Sequence, residues 1–173
     1  MRIETATLEH IAEITTIYND AVLTTTAVWI DSPVGIADRR AWFEDRQRLA
    51  FPVLVALDEH DAVVGYATFG PWRPHEGYRH TVEHSVYVRG DQRGRGVGRM
   101  LMVALIDLAR GAGIHAMIGA ITSDNVASLR LHESLGFEHG GTLRQVGAKF
   151  GQWLDLALLQ LILDEAPGPA PLR

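Results

Sequence analysis

The segment between Val88 and Met100 combines glycines and arginines in a spacing that suits phosphate binding. It joins an apolar, strand-like run to a helical pattern, so its backbone N–H groups lie at the positive end of a helix. Glycines lack a Cβ and let phosphate oxygens approach those groups, while arginines add charge-assisted hydrogen bonds. The sequence therefore predicts a phosphate-bearing ligand bound by one contiguous set of residues: Arg93, Gly94, Arg95, Gly96, Val97, Gly98 and Arg99.

Two common nucleotide-binding patterns do not fit this segment. A P-loop requires G-x-x-x-x-G-K-[ST], which is absent, and a dinucleotide fingerprint requires G-x-G-x-x-G, whereas the glycines here follow G-x-G-x-G. A dinucleotide site also needs an acidic residue at a strand end about 20 residues later, and none is there. A glycine-rich helix start that holds no ligand is the remaining structural alternative.

Composition limits the other classes of function. A chain of 173 residues fits one domain, which we place at residues 1–163, with a flexible proline-rich tail at 164–173. The net charge of -5 argues against a general nucleic-acid binder. The absence of cysteine excludes disulfides, thiolate metal sites and a cysteine nucleophile. Neither an apolar leader nor a long apolar run occurs, so we expect a cytoplasmic protein without membrane contact.

The chemistry-bearing segments are embedded in a mixed succession of strands and helices. This order predicts an α/β protein with a mixed sheet rather than regularly alternating βαβ units. The predicted elements are a strand at 2–5, helices from Thr7 to about Leu23 and at 36–49, strands at 53–57, 63–69 and 81–88, a helix at 96–113, a strand at 115–122, a helix at 125–135, and strands at 137–146 and 152–163.

The helix predicted directly after the glycine-rich turn has a clear apolar face. Val97, Leu101, Leu105 and Leu108 recur at steps of four, four and three residues. This spacing is typical of an amphipathic helix that packs on a sheet. We therefore expect these four side chains to be buried, with the N-terminal end of the helix beside the glycines.

Two motifs resemble the GNAT acetyltransferase superfamily. Arg93, Gly96 and Gly98 match its R-x-x-G-x-G pattern, and the segment 125–137 matches a second family segment in which an asparagine opens a helix and Gly-Phe ends it. The resemblance implies an acyl-CoA N-acyltransferase fold, a central, mostly antiparallel mixed sheet flanked by helices. It also implies acetyl-CoA as cosubstrate, with its pyrophosphate on the glycine-rich turn and further contacts from Val86, Tyr87, Val88, Asn125 and Ser134.

Three further segments resemble the phosphinothricin and methionine sulfoximine (methionine sulfone) acetyltransferases: 72–74, 81–88 and 149–155. The resemblance implies acetyl transfer to the α-amine of a small amino acid, in a detoxification role, by a homodimer. Glu83 then matches the family's general base, which a partly shielded strand carboxylate suits. An exposed carboxylate without a role is the alternative. Substrate contacts are expected from Trp72, Arg73, Pro74, His75, Glu83 and Lys149.

Histidines leave alternatives open. His132 occupies the position at which many superfamily members carry a tyrosine that protonates the departing thiolate, so it is either a general acid or a packing histidine. His75, His80 and His84 match no recognised ligand spacing, so we predict no metal.

Two other functions compete with acetylation of a small amino acid. One is acetylation of a protein N-terminus or of a different small amine. The other is a non-catalytic acyl-CoA-binding sensor, against which the presence of Glu83 argues. For an enzyme, we expect direct attack in a ternary complex, because no cysteine is present to carry an acyl group.

Overall fold

A seven-stranded mixed sheet organises the protein, which the computed structural model describes over residues 1–169. The strands lie in the order β1-β2-β3-β4-β5-β7-β6. The elements are β1 (Arg2–Thr5), α1 (Ile11–Thr24), α2 (Ile36–Arg48), β2 (Val53–Leu57), β3 (Val63–Pro71), β4 (Thr81–Val88), α3 (Val97–Gly111), β5 (Ala116–Thr122), α4 (Val126–Ser134), β6 (Glu138–Lys149) and β7 (Gln152–Ile162).

The pairing of β4 with β5 creates a gap in the sheet. The two strands are parallel and pair only from Thr81 to Glu83 on β4, although both strands continue beyond that point. The other neighbouring strands are antiparallel. Beyond Glu83, the backbone of β4 therefore keeps its partner β3 on one edge, and on the other edge it has no strand partner among residues 1–169.

Hydrophobic side chains are buried on both faces of the sheet. On one face, α3 packs Leu101 and Leu105 against the strands. On the other face, Ile14 of α1 and Phe43 of α2 pack against Tyr66. Because side chains alternate along a strand, β4 directs its even-numbered residues towards α3 and its odd-numbered residues, including Glu83, towards α1 and α2.

The structure confirms the predicted mixed α/β fold, and β4 has the predicted bounds. The prediction for Leu108 was wrong: this side chain is 45% exposed, while Ala109 is fully buried. The helix packs on the sheet through a face that also includes Met102 and Ile106, so Leu108 lies at its margin. The spacing of apolar residues gives the period of a helix. It does not show which of two adjacent residues at the end of the helix faces the sheet.

The C-terminal segment follows β7 without further regular structure as far as residue 169. Leu163 is buried and its N–H donates to His115 O at 2.8 Å. Part of the predicted tail, residues 170–173, lies outside the described residues, and the domain boundary at 163 stays a prediction. Among residues 1–169, no helix is long and apolar enough to cross a membrane.

Candidate active site

A cleft of about 730 Å³ opens where β4 and β5 separate. It is bounded by β4, the turn before α3, α4 and the segment after α1. The structure brings most of the predicted ligand-binding residues together along its walls: Val86, Tyr87, Val88, Arg93, Gly94, Gly96, Val97, Gly98, Arg99 and Asn125.

The glycine-rich turn gives this cleft an anion-binding end. Gly94 and Gly96 have φ values of 75° and 83°, a left-handed conformation that glycine adopts without strain. Gly96 is the N-cap of α3, and no side chain in the described part of the chain caps the helix. A Cβ at either glycine would enter open space. The first N–H groups of α3 are therefore free for an anion, which fits the pyrophosphate of acetyl-CoA.

Two of the predicted cofactor-binding residues lie elsewhere. Arg95 lines a separate small hollow and contacts Gln92 Oε1 at 3.3 Å. Ser134 lies beside the cleft, where its Oγ accepts a hydrogen bond from Arg99 Nη1 at 2.9 Å. A contiguous motif does not show which arginine points away from the cleft, so a direct contact of Arg95 with the ligand is not supported. Ser134 would act only through Arg99.

The sequence reasoning missed one wall of the cleft. The threonine-rich segment 24–27, which ends α1, lies opposite the glycine-rich turn, together with Phe150. The sequence predicted only that the first helix ends at about Leu23. The composition of this segment therefore indicated where α1 ends. It did not indicate that the residues after α1 line a site.

Lys149 supports that wall instead of contacting substrate. Its side chain is 3% exposed, and its ammonium group donates to the carbonyl oxygens of Val22, Thr25 and Val28 at 2.6, 2.8 and 2.5 Å. These acceptors include carbonyls at the C-terminal end of α1, which lack partners within the helix. The ammonium has three protons, and all are used, so the expected substrate contact of Lys149 is not supported.

Glu83 lies at the last paired position between β4 and β5. Its side chain is half-buried, and this burial raises the pKa of its carboxyl, while the charges of Arg73 and Arg46 oppose the increase. On the same face of β4, burial raises the pKa of Tyr87 to about 12. The raised pKa makes Glu83 a stronger base than an exposed glutamate, whereas Tyr87 stays protonated at neutral pH.

The predicted substrate loop lies beside Glu83 and outside the lining of the main cleft. Arg73 is exposed, with its guanidinium carbon 4.2 Å from the centroid of the Trp72 ring. Trp72 is half-buried, while Pro74 and His75 are exposed. Of these four residues, Arg73 is the one whose charge lowers the pKa of Glu83.

His132 is buried and pairs with a second histidine. Its Nδ1 lies 2.6 Å from the carbonyl oxygen of Ser128, so Nδ1 carries the proton. Its Nε2 then accepts from His84 Nε2 at 3.0 Å. Burial lowers the pKa of His84 to about 3 and also lowers that of His132. With 1% of its surface exposed, His132 joins α4 to β4, which favours the packing alternative over the acid role.

Gly119 on β5 provides the space for this pair. A Cβ at Gly119 would lie 3.1 Å from His84 Nε2, closer than ordinary contacts allow.

Over the described part of the chain, no group of three histidine, cysteine, aspartate or glutamate side chains is arranged to hold a metal ion.

Comparison with known proteins agrees with this geometry. Residues 14–137 match the acetyltransferase (GNAT) family model. The L-methionine sulfoximine/L-methionine sulfone acetyltransferase of Pseudomonas aeruginosa is 58% identical over 148 residues, which cover 86% of each chain. The phosphinothricin N-acetyltransferase of Alcaligenes faecalis is 37% identical over 164 residues, which cover 94% of this chain and 83% of the relative.

A solved structure extends the agreement to the whole fold. The structure of yncA from Salmonella typhimurium, described as an acetyltransferase with its cofactor acetyl-CoA, has a TM-score of 0.95 and 52% identity, and the match covers 98% of both chains. The family match and these relatives confirm the resemblance inferred from the two sequence motifs. The chain therefore belongs to the acetyltransferase (GNAT) family and is an acetyl-CoA-dependent N-acetyltransferase.

Proposed function

We propose that the protein acetylates the α-amine of a small amino acid of the methionine sulfoximine or methionine sulfone type. The observation that carries the proposal is Glu83, a half-buried carboxylate at the point where the cleft opens, with a cationic loop beside it. The P. aeruginosa relative is named for these two substrates, and the more distant A. faecalis relative for phosphinothricin. All three compounds carry an amine for Glu83 and an anionic group for an arginine.

In this proposal, the cleft holds acetyl-CoA along β4. The backbone of β4 beyond Glu83 lacks a strand partner on the side of β5, so it can pair with the amides of the pantetheine arm. The N-terminal end of α3 binds the pyrophosphate, and Arg93 and Arg99 add positive charge. Asn125, which caps α4 through its side chain, keeps the opposite wall in place.

Glu83 acts as the general base, directly or through a water molecule. It takes a proton from the substrate ammonium, and the free amine attacks the thioester carbonyl. Backbone N–H groups near Val86 donate to the developing oxyanion. A C–N bond forms and the C–S bond breaks. The nitrogen gives up its second proton, which passes through solvent to the departing thiolate, so CoA leaves as the thiol and acetyl passes to the amine in a single complex without an acyl-enzyme.

Arg73 is the proposed partner of the substrate carboxylate. Its guanidinium is exposed, lies on the Trp72 ring and is close enough to influence Glu83. A carboxylate bound there would place the neighbouring α-amine towards Glu83. The apolar surface of Trp72 would contact the rest of the side chain.

A substrate panel tests the proposed function. Purified protein is supplied with acetyl-CoA and, separately, L-methionine sulfone, L-methionine sulfoximine, phosphinothricin and a peptide with a free N-terminus, and thiol release is followed. We expect the highest kcat/KM with the two methionine derivatives. Preference for the peptide would replace this proposal with N-terminal acetylation, and tight acetyl-CoA binding without turnover would favour a sensor.

Substitution of Gly96 by alanine is expected to weaken acetyl-CoA binding about tenfold, equivalent to about 1.4 kcal/mol. The Cβ disfavours the left-handed conformation that aligns the N-terminal end of α3. Isothermal titration calorimetry measures the change. Gly113→Ala is the matched control, since Gly113 also has a positive φ and open space but lies beyond the far end of α3. Equal affinities in the two variants would contradict an anion site at Gly96.

We also propose a homodimer that forms through β6 and β7. β6 is an edge strand and is exposed over most of its length. Large apolar side chains are exposed on the same hairpin: Val146 at 52%, Phe150 at 57% and Trp153 at 70%. A long, exposed, apolar edge strand favours association with a second chain.

Substitution of Trp153 by arginine tests this interface. We expect the dimer dissociation constant to rise on the order of 30-fold or more, because a central tryptophan contributes at least about 2 kcal/mol to an interface. Light scattering after size exclusion at several protein concentrations provides the measurement. Leu108→Arg is the control, since Leu108 is an exposed leucine on α3. A monomeric wild-type protein would overturn the dimer proposal.

A further inference from the structure

Arg46 of α2 lies over the backbone of β3 at Gly70. A Cβ at Gly70 would overlap Nη1 of Arg46, so the guanidinium occupies the space that any other residue at position 70 would fill with its side chain. Gly70 has no positive φ that would require glycine. The lack of a side chain at Gly70 therefore leaves space for the Arg46 guanidinium and is not required by the backbone conformation.

Gly70 is the direct neighbour of Glu83 across the sheet. The antiparallel register of β3 and β4 pairs Gly70 with Glu83 without an irregularity. Residues directly opposite each other in an antiparallel pair project to the same face, with Cβ atoms about 5 Å apart. The guanidinium of Arg46, seated at the Cβ position of Gly70, therefore lies beside the Glu83 side chain.

The position of Arg46 is fixed by its contacts. Its Nη1 donates to Phe69 O at 3.0 Å, and its guanidinium carbon lies 5.9 Å from the Trp42 ring centroid and 5.8 Å from that of Phe51. Within residues 1–169, Arg46 has no carboxylate within 4.0 Å. Its charge is not neutralised by an ion pair and acts on the half-buried carboxylate next to it.

We propose that Arg46 is a positioning residue for catalysis, whose charge, held on the side of β3, favours the ionised form of the Glu83 carboxylate through space. This inference rests on the proposed function, because it refines the role of the base. It assigns a task to a residue on α2, outside the acetyl-CoA cleft and outside the substrate loop.

Arg46 is the cation that the folded structure holds in place near Glu83. Arg73 also acts on Glu83, but it is exposed on a loop, and the proposed function assigns it to the substrate. Arg39, about two helical turns before Arg46 on α2, lies on the Tyr18 and Trp42 rings. Tyr87 follows along β4, and β5 presents the apolar Ile118. Arg46 is thus the half-buried, anchored charge that remains beside Glu83 when the substrate carboxylate occupies Arg73.

As a consequence, Glu83 remains ionised and can accept a proton at neutral pH although its side chain is half-buried. Burial alone favours the protonated carboxyl, which cannot accept a proton. A nearby cation favours the ionised form by its charge alone, without a direct hydrogen bond. Removing this cation should favour the protonated form of the Glu83 carboxyl. The rate of acetyl transfer should then fall most at acidic pH, where Glu83 is already partly protonated.

Two different substitutions test the inference. Arg46→Gln removes the charge but keeps a donor for Phe69 O, and Gly70→Ala retains the charge but displaces the guanidinium. For both, we expect the acidic limb of the kcat/KM profile to move to higher pH, with a loss on the order of tenfold at pH 6 and little loss at pH 9. Arg46→Lys should recover most of the activity at pH 6. Gly111→Ala, whose Cβ meets nothing, is the control and should match wild type.

NMR titration of the glutamate side-chain carboxyls provides a reading that needs no turnover, with the Glu83 signal assigned by its loss in Glu83→Gln. The expected result is a titration midpoint at higher pH in Arg46→Gln and Gly70→Ala than in wild type. An unchanged midpoint in Arg46→Gln overturns the inference, and this variant decides alone if Gly70→Ala fails to fold by circular dichroism. If wild type transfers no acetyl group, the proposed function fails, while the NMR midpoint still decides the effect of Arg46 on Glu83.

Discussion

Substitution of Glu83 by glutamine is expected to lower kcat/KM for the amine substrate by about 10² to 10⁴ at neutral pH, the usual contribution of a general base. Glutamine has nearly the same shape, so β4 and its pairing with Gly70 and Ile118 should persist. The affinity for acetyl-CoA should remain as in wild type, because Glu83 does not line the cleft. Steady-state kinetics and calorimetry separate the two effects.

The pH dependence of this variant adds a second criterion. In wild type, activity should fall as the pH decreases through the pKa of Glu83, which burial raises above the usual range of a glutamate. In Glu83→Gln, that limb should disappear, and the residual rate should follow the fraction of free amine. Glu44→Gln on the exposed side of α2 serves as the control. Wild-type activity in Glu83→Gln at neutral pH would remove the base assignment.

Substitution of Lys149 by methionine is expected to destabilise the fold by about 3 kcal/mol, because carbonyl groups near the end of α1 lose their buried donor. Methionine is similar in length and apolar, so packing is largely kept while the three hydrogen bonds to Val22, Thr25 and Val28 are lost. Acetyl-CoA affinity should fall as well, since the segment after α1 lines the cleft. Urea denaturation followed by circular dichroism gives the free energy of unfolding.

A surface substitution calibrates the effect of Lys149. Arg48→Met removes an exposed cation that forms an ion pair with Asp45 within α2. We expect a change within about 0.5 kcal/mol for this control. A loss for Lys149→Met that is no greater than the loss for Arg48→Met would show that the three hydrogen bonds do not hold α1 in place.

The cofactor end of the site could be predicted from sequence because its determinants are local. The glycine-rich turn and the first residues of α3 are contiguous, and their conformation depends on glycine and on the start of a helix. The predicted strand at 81–88 likewise has the bounds of β4. Arg95 shows the limit of local reasoning: its neighbours in the motif face the cleft, while its own side chain points to another surface.

The supporting residues could not be predicted because their partners are distant in the chain. Lys149 contacts carbonyls more than 120 residues away, and His132 pairs with His84 across 48 residues. Motif position suggested a substrate contact for the first and left the second as either a general acid or a packing histidine. Burial and hydrogen bonding place both in the scaffold.

Arg46 is a related case. Its sequence context on α2 gives no sign of catalysis, and only the register that pairs Gly70 with Glu83 brings it to the base. The sequence placed the end of this strand at residue 69, whereas β3 continues to Pro71. A strand boundary misplaced by two residues was enough to conceal the relation between these residues.

Direct acetyl transfer to the α-nitrogen is tested by mass spectrometry with isotopically labelled acetyl-CoA and L-methionine sulfone. We predict that each labelled acetyl group lost from CoA appears on the α-nitrogen of the amino acid, that none becomes attached to the protein, and that Glu83→Gln slows formation of this product. Labelled protein, or CoA release without an acetylated amino acid, would contradict direct transfer to a small amino acid.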